Sequence, residues 1–543
     1  MLFNSFEFIF VYLPATLIGF FVLGQRSRNL ALAWLVLASL VFYAWWRPLN
    51  VLIIAPSIAV NFLLARLLIR LRTAKGRAAG ANAVLALGIV FNIVFLGYFK
   101  YVNFLGTALN DIAGTDFVLT QVVLPLGISF ITFQKIAFLI DVHGGRVASF
   151  TLRDYALFVL FFPQLIAGPI VHYREMIPQF QAAPCRLERD NVAVGMTMFV
   201  FGLFKKVVLA DGIAAHVSPI YALAAGGSEV SLLPAWIAAL GFTLQIYFDF
   251  SGYSDMAIGI ARCVGVRLPA NFDSPLKATS IIDFWLRWHM TLTRFLTAYL
   301  YNPIVLALTR RRMAKGLKPL GGRELRVGAF LQLLVGPTLL TMFVSGLWHG
   351  ASYLFIAWGL LHGTYLAINH AWRHLGPRLF ASRETYERVM RPLGFVLTFV
   401  AVAVAMVLFR ADHGSAAKEL LQGMVGMNGV GLPQAMLEQI GRFAGPLRPF
   451  VATSTELSAQ GLVLACAWIA GLLLVALAAP NTLQLLARYE PALLAKTAPL
   501  QASAITRVLA WSPSLPWAAA VSVLAVAAIL QLGGKSEFLY WQF

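Results

Sequence analysis

Long apolar runs dominate the chain and constrain its fold more than any other feature. A helix needs about 17 or more mainly apolar residues to cross the hydrocarbon core of a bilayer. Fourteen stretches approach that length: 6–24, 30–46, 50–70, 82–104, 119–141, 154–173, 194–214, 232–251, 285–308, 328–347, 352–371, 393–410, 460–480 and 515–532. Because backbone groups in lipid must be hydrogen-bonded internally, these runs predict helices rather than a barrel.

The composition supports a membrane protein. The 543 residues are 59% hydrophobic and 12% charged, whereas a soluble domain carries roughly 25% charged residues. Several runs contain charges or prolines, which is typical of re-entrant or interfacial helices. We therefore predict an all-α polytopic membrane protein with roughly ten to thirteen true transmembrane helices.

The net charge of +19 is distributed as expected for membrane topology. The basic residues form three clusters: Arg66, Arg70, Arg72, Lys75 and Arg77; the segment 310–326; and Arg26 with Arg28. The positive-inside rule places all three in the cytoplasm, which agrees with alternating spans and an extracytoplasmic N-terminus. Attraction of a phosphorylated cofactor is a second use for such clusters. A nucleic-acid partner is not indicated.

No polar interruption is long enough to form a separate soluble catalytic domain. We predict one membrane domain over 1–543, with a core at 119–410, an amphipathic surface segment at about 411–459 and C-terminal helices at about 460–543. Residues 1–24 lack a basic n-region and a cleavage site, so they are predicted to be a retained first span.

Short motifs exclude several classes of soluble enzyme. The sequence lacks a phosphate-binding G-x-x-x-x-G-K-[ST] loop, an H-E-x-x-H zinc motif and a G-x-S-x-G nucleophile elbow. Its three cysteines, Cys185, Cys263 and Cys466, have no C-x-x-C spacing, so neither a metal site nor a disulfide framework is predicted.

His349 is the leading candidate for a functional residue. It lies between two apolar runs, which places an ionisable side chain at membrane depth, where such groups usually serve a function. An imidazole also exchanges protons near neutral pH. Gly346 and Gly350 allow a neighbouring backbone or a substrate to approach the ring closely. The structural alternative is a histidine that holds two helices together.

The stretch 245–289 is unusually polar for this chain. We interpret it as a broken or partly re-entrant element lining a polar cavity; an interfacial loop anchored by aromatic residues is the alternative. Asp283 and Arg287 are four residues apart and are predicted to pair on one helix face. Trp285 and Trp288 suit a membrane interface.

His289 is the second histidine candidate. If the flanking segments form a helical hairpin about the cluster at 310–326, His289 and His349 each lie about twenty residues, or roughly 30 Å of helix, from it. They would then sit at similar depth. The pair Asn302 and Pro303 should kink the first arm, so the match in depth is approximate.

At these residues the chain resembles the membrane-bound O-acyltransferase family, and within it the bacterial branch that O-acetylates alginate or peptidoglycan. The resemblance is carried by residues 125–130 with 132–134, 162–169, 202–206, 249–257, 284–289, 346–351, 409–411 and 538–543. Residues 411–515 match least clearly.

The resemblance implies a bundle of helices around a central funnel in the bacterial inner membrane. It further implies a cytosolic acyl-CoA or acyl carrier protein as donor, such as acetyl-CoA, and no permanently bound cofactor. The acyl group, most simply acetyl, would pass to an extracytoplasmic polysaccharide through a periplasmic partner of the SGNH-hydrolase type. Membrane lipid is the remaining partner. The polymer, the acyl chain length and the oligomeric state are not specified.

On that pattern His349 is the catalytic base and His289 its helper. Neighbouring residues are candidates for the donor cavity: Tyr253, Ser254, Asp255, Asn271, Arg287, Trp288 and Trp348. A thioester is already activated, so the reaction needs only a base and stabilisation of the oxyanion, without a covalent acyl-enzyme. Two alternatives are a proton-coupled transporter that uses both histidines, Asp249 and Asp255 as a relay, and an inactive scaffold.

Overall fold

The structure of the protein is a computed structural model. It describes all residues except 74–77, 116–121, 183, 320–325, 441–456, 494–503, 534–538 and 540–543. The described residues form helices and no strand, which confirms the all-α class. Parts of three sequence features lie outside them: Lys75 with Arg77, Arg323, and most of the aromatic terminus 538–543.

Nine helices in the described part of the chain are long and apolar enough to cross a membrane. They are Phe8–Arg26, Arg28–Trp46, Leu49–Thr73, Ala78–Ala113, Arg189–Ala225, Leu232–Cys263, Val327–His349, Arg383–Arg410 and Ala459–Ala478. The chain is therefore a polytopic membrane protein. The number is slightly below the predicted range because five of the fourteen apolar runs form shorter, broken or more polar helices.

Those five runs differ in how they depart from a simple span. The run 119–141 becomes the helix Ile128–His143, and 515–532 becomes Leu515–Leu530. Residues 290–314 and the helix Tyr353–Leu375 are long, but both carry several polar residues.

The run 154–173 does not form one span, in agreement with the expectation that some proline-containing runs are re-entrant or interfacial. It contains the helices Leu152–Leu160 and Phe162–Leu165, followed by a non-helical stretch and then the helix Tyr173–Ala182. Pro163 and Pro169 explain the break, since proline lacks the N–H needed for a continuous helix. Gly168 contributes as well, because a β-carbon there would lie 2.7 Å from the carbonyl oxygen of Pro163.

The chain divides into two compact units. The first contains residues 1–204, 251–271 and 482–542. The second contains residues 205–250 and 272–481, together with the terminal residue. Two of the unit boundaries fall inside helices, one in Arg189–Ala225 and one in Leu232–Cys263, a continuous helix that contributes to both units.

Glycines and amides join the helices of the first unit. A β-carbon on Gly195 would lie 2.5 Å from the carbonyl oxygen of Gly259, so the two backbones approach as closely as glycine permits. Asn61 and Asn92 exchange side-chain hydrogen bonds of 3.2 and 2.6 Å between neighbouring helices. Small residues and paired amides are typical of contacts between helices in lipid.

Three helices contain a π-turn that ends two residues before a proline. The turns Phe8–Tyr12, Thr297–Tyr301 and Leu331–Val335 precede Pro14, Pro303 and Pro337. A proline ring crowds the carbonyl four residues earlier, and the wider turn relieves that clash while the helix continues. The disturbance predicted at Pro303 therefore takes the form of a π-turn.

The segment 411–459 contains the helices Gly414–Met424 and Gln434–Ile440, and its residues 441–456 lie outside the described part. Gly414–Met424 buries Ala416, Ala417 and Leu420 on one side, as an amphipathic helix does. Its location on the membrane surface stays a prediction.

Candidate active site

His349 is the last residue of the helix Gly336–His349, and 4% of its surface is exposed. Its imidazole packs nearly perpendicular to Trp358, with 5.0 Å between ring centroids, and to Phe409, at 5.1 Å. Aromatic rings therefore wall the histidine on two sides. This burial agrees with both interpretations drawn from the sequence, a functional residue and a packed one.

Gly346 and Gly350, the glycines next to His349, allow other residues of the protein to pack closely against the backbone. A β-carbon on Gly350 would collide with the ring of Phe355, and one on Gly346 would collide with the Phe355 carbonyl. On the facing helix, a β-carbon on Gly359 would lie 3.2 Å from the α-carbon of Gly346. Of the two uses predicted for Gly346 and Gly350, close approach of neighbouring residues is thus the one observed.

His289 is fully buried and adopts a backbone conformation that is uncommon for a residue other than glycine. Its φ angle is +42°, in the left-handed region, directly before the helix Met290–Leu296. Its ring packs edge-on against Phe250, with centroids 4.8 Å apart. Strained backbone of this kind is often found at functional sites.

A network of polar contacts fixes the turn that leads into His289. Arg287 Nε donates to Asp283 Oδ1 at 2.8 Å, and the Asp273 N–H donates to the Arg287 carbonyl at 3.0 Å. The pairing of Asp283 with Arg287 was predicted correctly. However, it forms across the end of the short helix Ile281–Trp285 rather than on one continuous helix face.

Trp348 brings the two candidate histidines together. Its indole lies 5.8 Å from the imidazole of His289 and 5.0 Å from that of His349, measured between ring centroids. The two arms also pack against each other, because residues 302–314 contact residues 331–335. The predicted packing of the two arms is therefore observed within the described residues, and the equal membrane depth of the two histidines stays a prediction.

The remaining candidates separate into two groups. Trp288 belongs to the same unit as the histidines and stacks on Phe284, with centroids 5.5 Å apart. Four candidates belong to the other unit: Tyr253, Ser254, Asp255 and Asn271. There Asn271 donates to Ser254 Oγ at 3.2 Å. A single cavity that includes both groups stays a prediction.

The stretch 245–289 is broken, as predicted, but only in its second part, because residues 245–255 lie inside the continuous helix Leu232–Cys263. Trp285 and Trp288 are not interfacial anchors, since only 6% and 2% of their surfaces are exposed. The break in the chain comes later, between residue 264 and His289.

Asp249 is neutralised by a lysine that the sequence interpretation did not single out as its partner. Lys206 Nζ lies 2.5 Å from Asp249 Oδ1 and 2.9 Å from Asp211 Oδ1. In the first unit, Asp255 accepts a hydrogen bond of 2.7 Å from Thr482. Both carboxylates of the alternative transporter relay, Asp249 and Asp255, thus contact neighbouring polar side chains.

Within the described residues, no group of histidine, cysteine and acidic side chains is arranged to hold a metal ion.

The fold and the site together define an integral membrane protein with a buried pair of histidines in a helical hairpin. The family model for membrane-bound O-acyltransferases (MBOAT) matches residues 145–317. The chain is 40% identical to the peptidoglycan O-acetyltransferase of Helicobacter pylori, covering 80% of this chain and 81% of that protein.

Two further relatives extend the comparison. The chain is 35% identical to the "Probable alginate O-acetylase AlgI" of Pseudomonas putida over the full length of both proteins. It is 28% identical to the teichoic acid D-alanyltransferase of Streptococcus thermophilus, covering 52% of this chain and 68% of that one. The chain therefore belongs to the membrane-bound O-acyltransferase family, and its chemistry is acyl transfer.

Proposed function

We propose that this protein moves an acyl group, most simply acetyl, from a cytosolic thioester to a hydroxyl of an extracytoplasmic polysaccharide. The donor would be acetyl-CoA or an acyl carrier protein. The single observation that carries the site assignment is the position of Trp348 between His289 and His349. Two buried imidazoles one indole apart offer both a base and a second hydrogen-bonding group within one small volume.

The acyl group and its acceptor are proposed from the relatives. The names of two relatives specify O-acetylation, of peptidoglycan and of alginate, and a third specifies transfer of D-alanine to teichoic acid. All three names describe the transfer of an acyl group to a polymer. The two acetylating relatives cover more of this chain and are more similar to it, so acetyl is the favoured group.

The reaction requires little more than His349 and an oxyanion-stabilising group. The neutral imidazole of His349 accepts the proton of the acceptor hydroxyl while the hydroxyl oxygen attacks the thioester carbonyl. The tetrahedral oxyanion then collapses and expels the thiolate, which takes the proton back from His349. The products are an oxygen ester and a free thiol. His289 orients the thioester or donates a hydrogen bond to the oxyanion.

The donor cavity is proposed to include the two indoles nearest the histidines, Trp288 and Trp348. In the first unit, Tyr253, Ser254, Asp255 and Asn271 are proposed as further donor-binding residues. Arg287 has a different part in this proposal. Its guanidinium is already paired with Asp283, so it would hold the turn at His289 rather than contact the donor.

The protein is proposed to lie in the bacterial inner membrane with its N-terminus outside. The acyl group would leave on the side opposite the basic segment 310–326. An SGNH-hydrolase-type partner would receive it there, because no described segment of this chain forms a soluble domain that reaches a polymer.

Labelled donor tests this proposal. The purified chain in nanodiscs would receive acetyl-CoA or acetyl-loaded acyl carrier protein, the acceptor polysaccharide and a candidate partner. We expect release of free thiol together with transfer of the labelled acetyl group, and loss of both in His349→Ala. A well-folded protein that transfers label from neither donor would overturn the proposal.

A further inference from the structure

His362 is a third histidine close to the proposed site, and the sequence interpretation did not identify it. It lies in the helix Tyr353–Leu375 and is fully buried. Its ring packs against Trp358, with centroids 4.9 Å apart, and against Trp285, at 5.2 Å. Its surroundings therefore consist mainly of aromatic rings.

Polar atoms around His362 have no hydrogen-bond partner among the described residues. This applies to both ring nitrogens of His362 and to the indole nitrogens of Trp285 and Trp358. It applies also to the hydroxyl of Ser345, one helical turn before His349. A buried polar group without a partner costs the full desolvation of that group. A phenyl ring at position 362 would fill the same space without this cost.

This polar cluster adjoins both candidate histidines. The indole of Trp358 lies between His349 and His362, with centroid distances of 5.0 and 4.9 Å. Trp285 begins the turn that ends at His289. A single ring, the indole of Trp358, therefore separates His362 from the proposed base, His349.

We propose that His362, Trp285 and Trp358 form a substrate subsite for an uncharged hydrogen-bonding group. This inference rests on the proposed function. Indole N–H groups only donate, while a neutral imidazole donates at one nitrogen and accepts at the other. The set contains no lysine or arginine, so it suits an amide or a hydroxyl rather than a phosphate or a carboxylate.

The same chemistry has two possible sources in the reaction. A thioester donor carried on a pantetheine arm presents amides, and a polysaccharide acceptor presents hydroxyls. The kinetic constants separate them, because losing a contact to one substrate raises the KM of that substrate.

The test compares His362→Phe with His362→Gln in the purified chain, assayed with acetyl donor, polysaccharide and the candidate partner. Phenylalanine keeps an aromatic ring and removes both nitrogens, whereas glutamine keeps a donor and an acceptor. We expect His362→Phe to lower kcat/KM by about tenfold or more, since an unpaired partner is left on the substrate. The melting temperature should stay equal or rise. His362→Gln should recover part of the activity, and the substrate whose KM rises identifies the source.

The control is His374→Phe, at the exposed end of the same helix, which should leave all constants unchanged. If His362→Phe does not fold, Trp285→Phe removes one of the N–H donors and should raise the same KM. Wild-type kinetic constants in both His362→Phe and Trp285→Phe would show that these two side chains only pack against their neighbours. That result would overturn the subsite while leaving the proposed function intact. A wild-type chain without transferase activity would instead overturn the proposed function, and the subsite with it.

Discussion

The indole of Trp348 packs against the imidazole of His289, with 5.8 Å between ring centroids and an interplanar angle of 61°. The two residues lie on opposite arms of a helical hairpin, and Trp348 precedes His349 in the chain. The contact therefore fixes the position of His289 relative to His349. An aromatic pair of this geometry contributes packing energy and a defined orientation, so the site is held by rings as well as by the backbone.

Replacing His349 tests the proposed base. His349→Ala should reduce turnover by a factor on the order of 10²–10⁴, because proton transfer is the step assigned to this side chain. Membrane insertion should be unchanged, since the residue lies at the end of its helix. The measurement is acetyl transfer per folded molecule, with folding monitored by size-exclusion chromatography.

A matched histidine provides the control for that experiment. His374 is exposed near the end of the helix Tyr353–Leu375, and His374→Ala should retain wild-type turnover. Wild-type acetylation by a well-expressed His349→Ala variant would remove His349 from the mechanism.

Two substitutions of His289 distinguish the contribution of its side chain from the requirement for its left-handed backbone conformation. Asparagine and glycine both tolerate the left-handed conformation at φ +42°, but only asparagine provides a hydrogen-bonding side chain. His289→Asn should therefore retain part of the activity, and His289→Gly should retain less. Activity below that of His349→Ala in both variants would show that the two roles are reversed.

The sequence predicted the helical class and the packing of the two arms of the hairpin, because these depend on local apolar length. The functional roles of His289 and His349 rest on the cost of an imidazole in lipid and stay predictions. The sequence also predicted the pair of Asp283 and Arg287, whose spacing is local. It did not specify where the break within 245–289 begins, and the helix continues to Cys263. Asp249 is stabilised there by Lys206, which lies on a different helix, and such a contact leaves no periodic signal in either segment.

His362 was missed for a related reason. It follows Trp358 by four residues, so the two share a helix face, and that spacing was a usable signal. Its proximity to His349 depends on the packing of the two helices through Gly346 and Gly359. That close approach is a tertiary feature. The tryptophans assigned to the membrane interface were misplaced for the same reason.

The buried ion pair of Lys206 and Asp249 should be strongly coupled. Lys206→Met leaves the fully buried Asp249 carboxylate without its cation, which should cost about 3–5 kcal/mol of stability. Replacing both partners, with Lys206→Met and Asp249→Leu, should recover most of that loss. Unfolding in detergent measures the free energy.

An exposed pair provides the comparison. Arg388 and Glu384 lie 2.9 Å apart on the surface of one helix, and Arg388→Met should cost less than about 1 kcal/mol. Equal stability of Lys206→Met and Arg388→Met would contradict a structural role for the buried pair.

Two glycines in membrane helices of the first unit should respond oppositely to alanine. A methyl group on Gly259 would lie 2.8 Å from the Phe199 nitrogen, whereas one on Gly97 would meet nothing within 4 Å. Gly259→Ala should therefore destabilise the protein by about 1–3 kcal/mol. Gly97→Ala should be neutral or stabilising by up to about 1 kcal/mol, because alanine favours helix. Equal melting temperatures for the two variants would refute the close packing of the two glycine-containing helices.

Delivery to the polymer should require a second protein. The described residues form membrane helices and short connections, and no described segment forms a soluble domain that could reach a polymer outside the membrane. The chain alone, with acetyl-CoA and polysaccharide, should therefore acetylate the polymer slowly or not at all, while an added SGNH-hydrolase-type partner should restore the reaction.

The measurement for this prediction is the amount of labelled acetyl on the isolated polymer, with release of free thiol as the internal control for donor use. His349→Ala should abolish transfer in the presence of the partner, which separates the contribution of this chain from direct donor use by the partner. Efficient acetylation of polymer by the chain alone would show a direct transferase and exclude the relay.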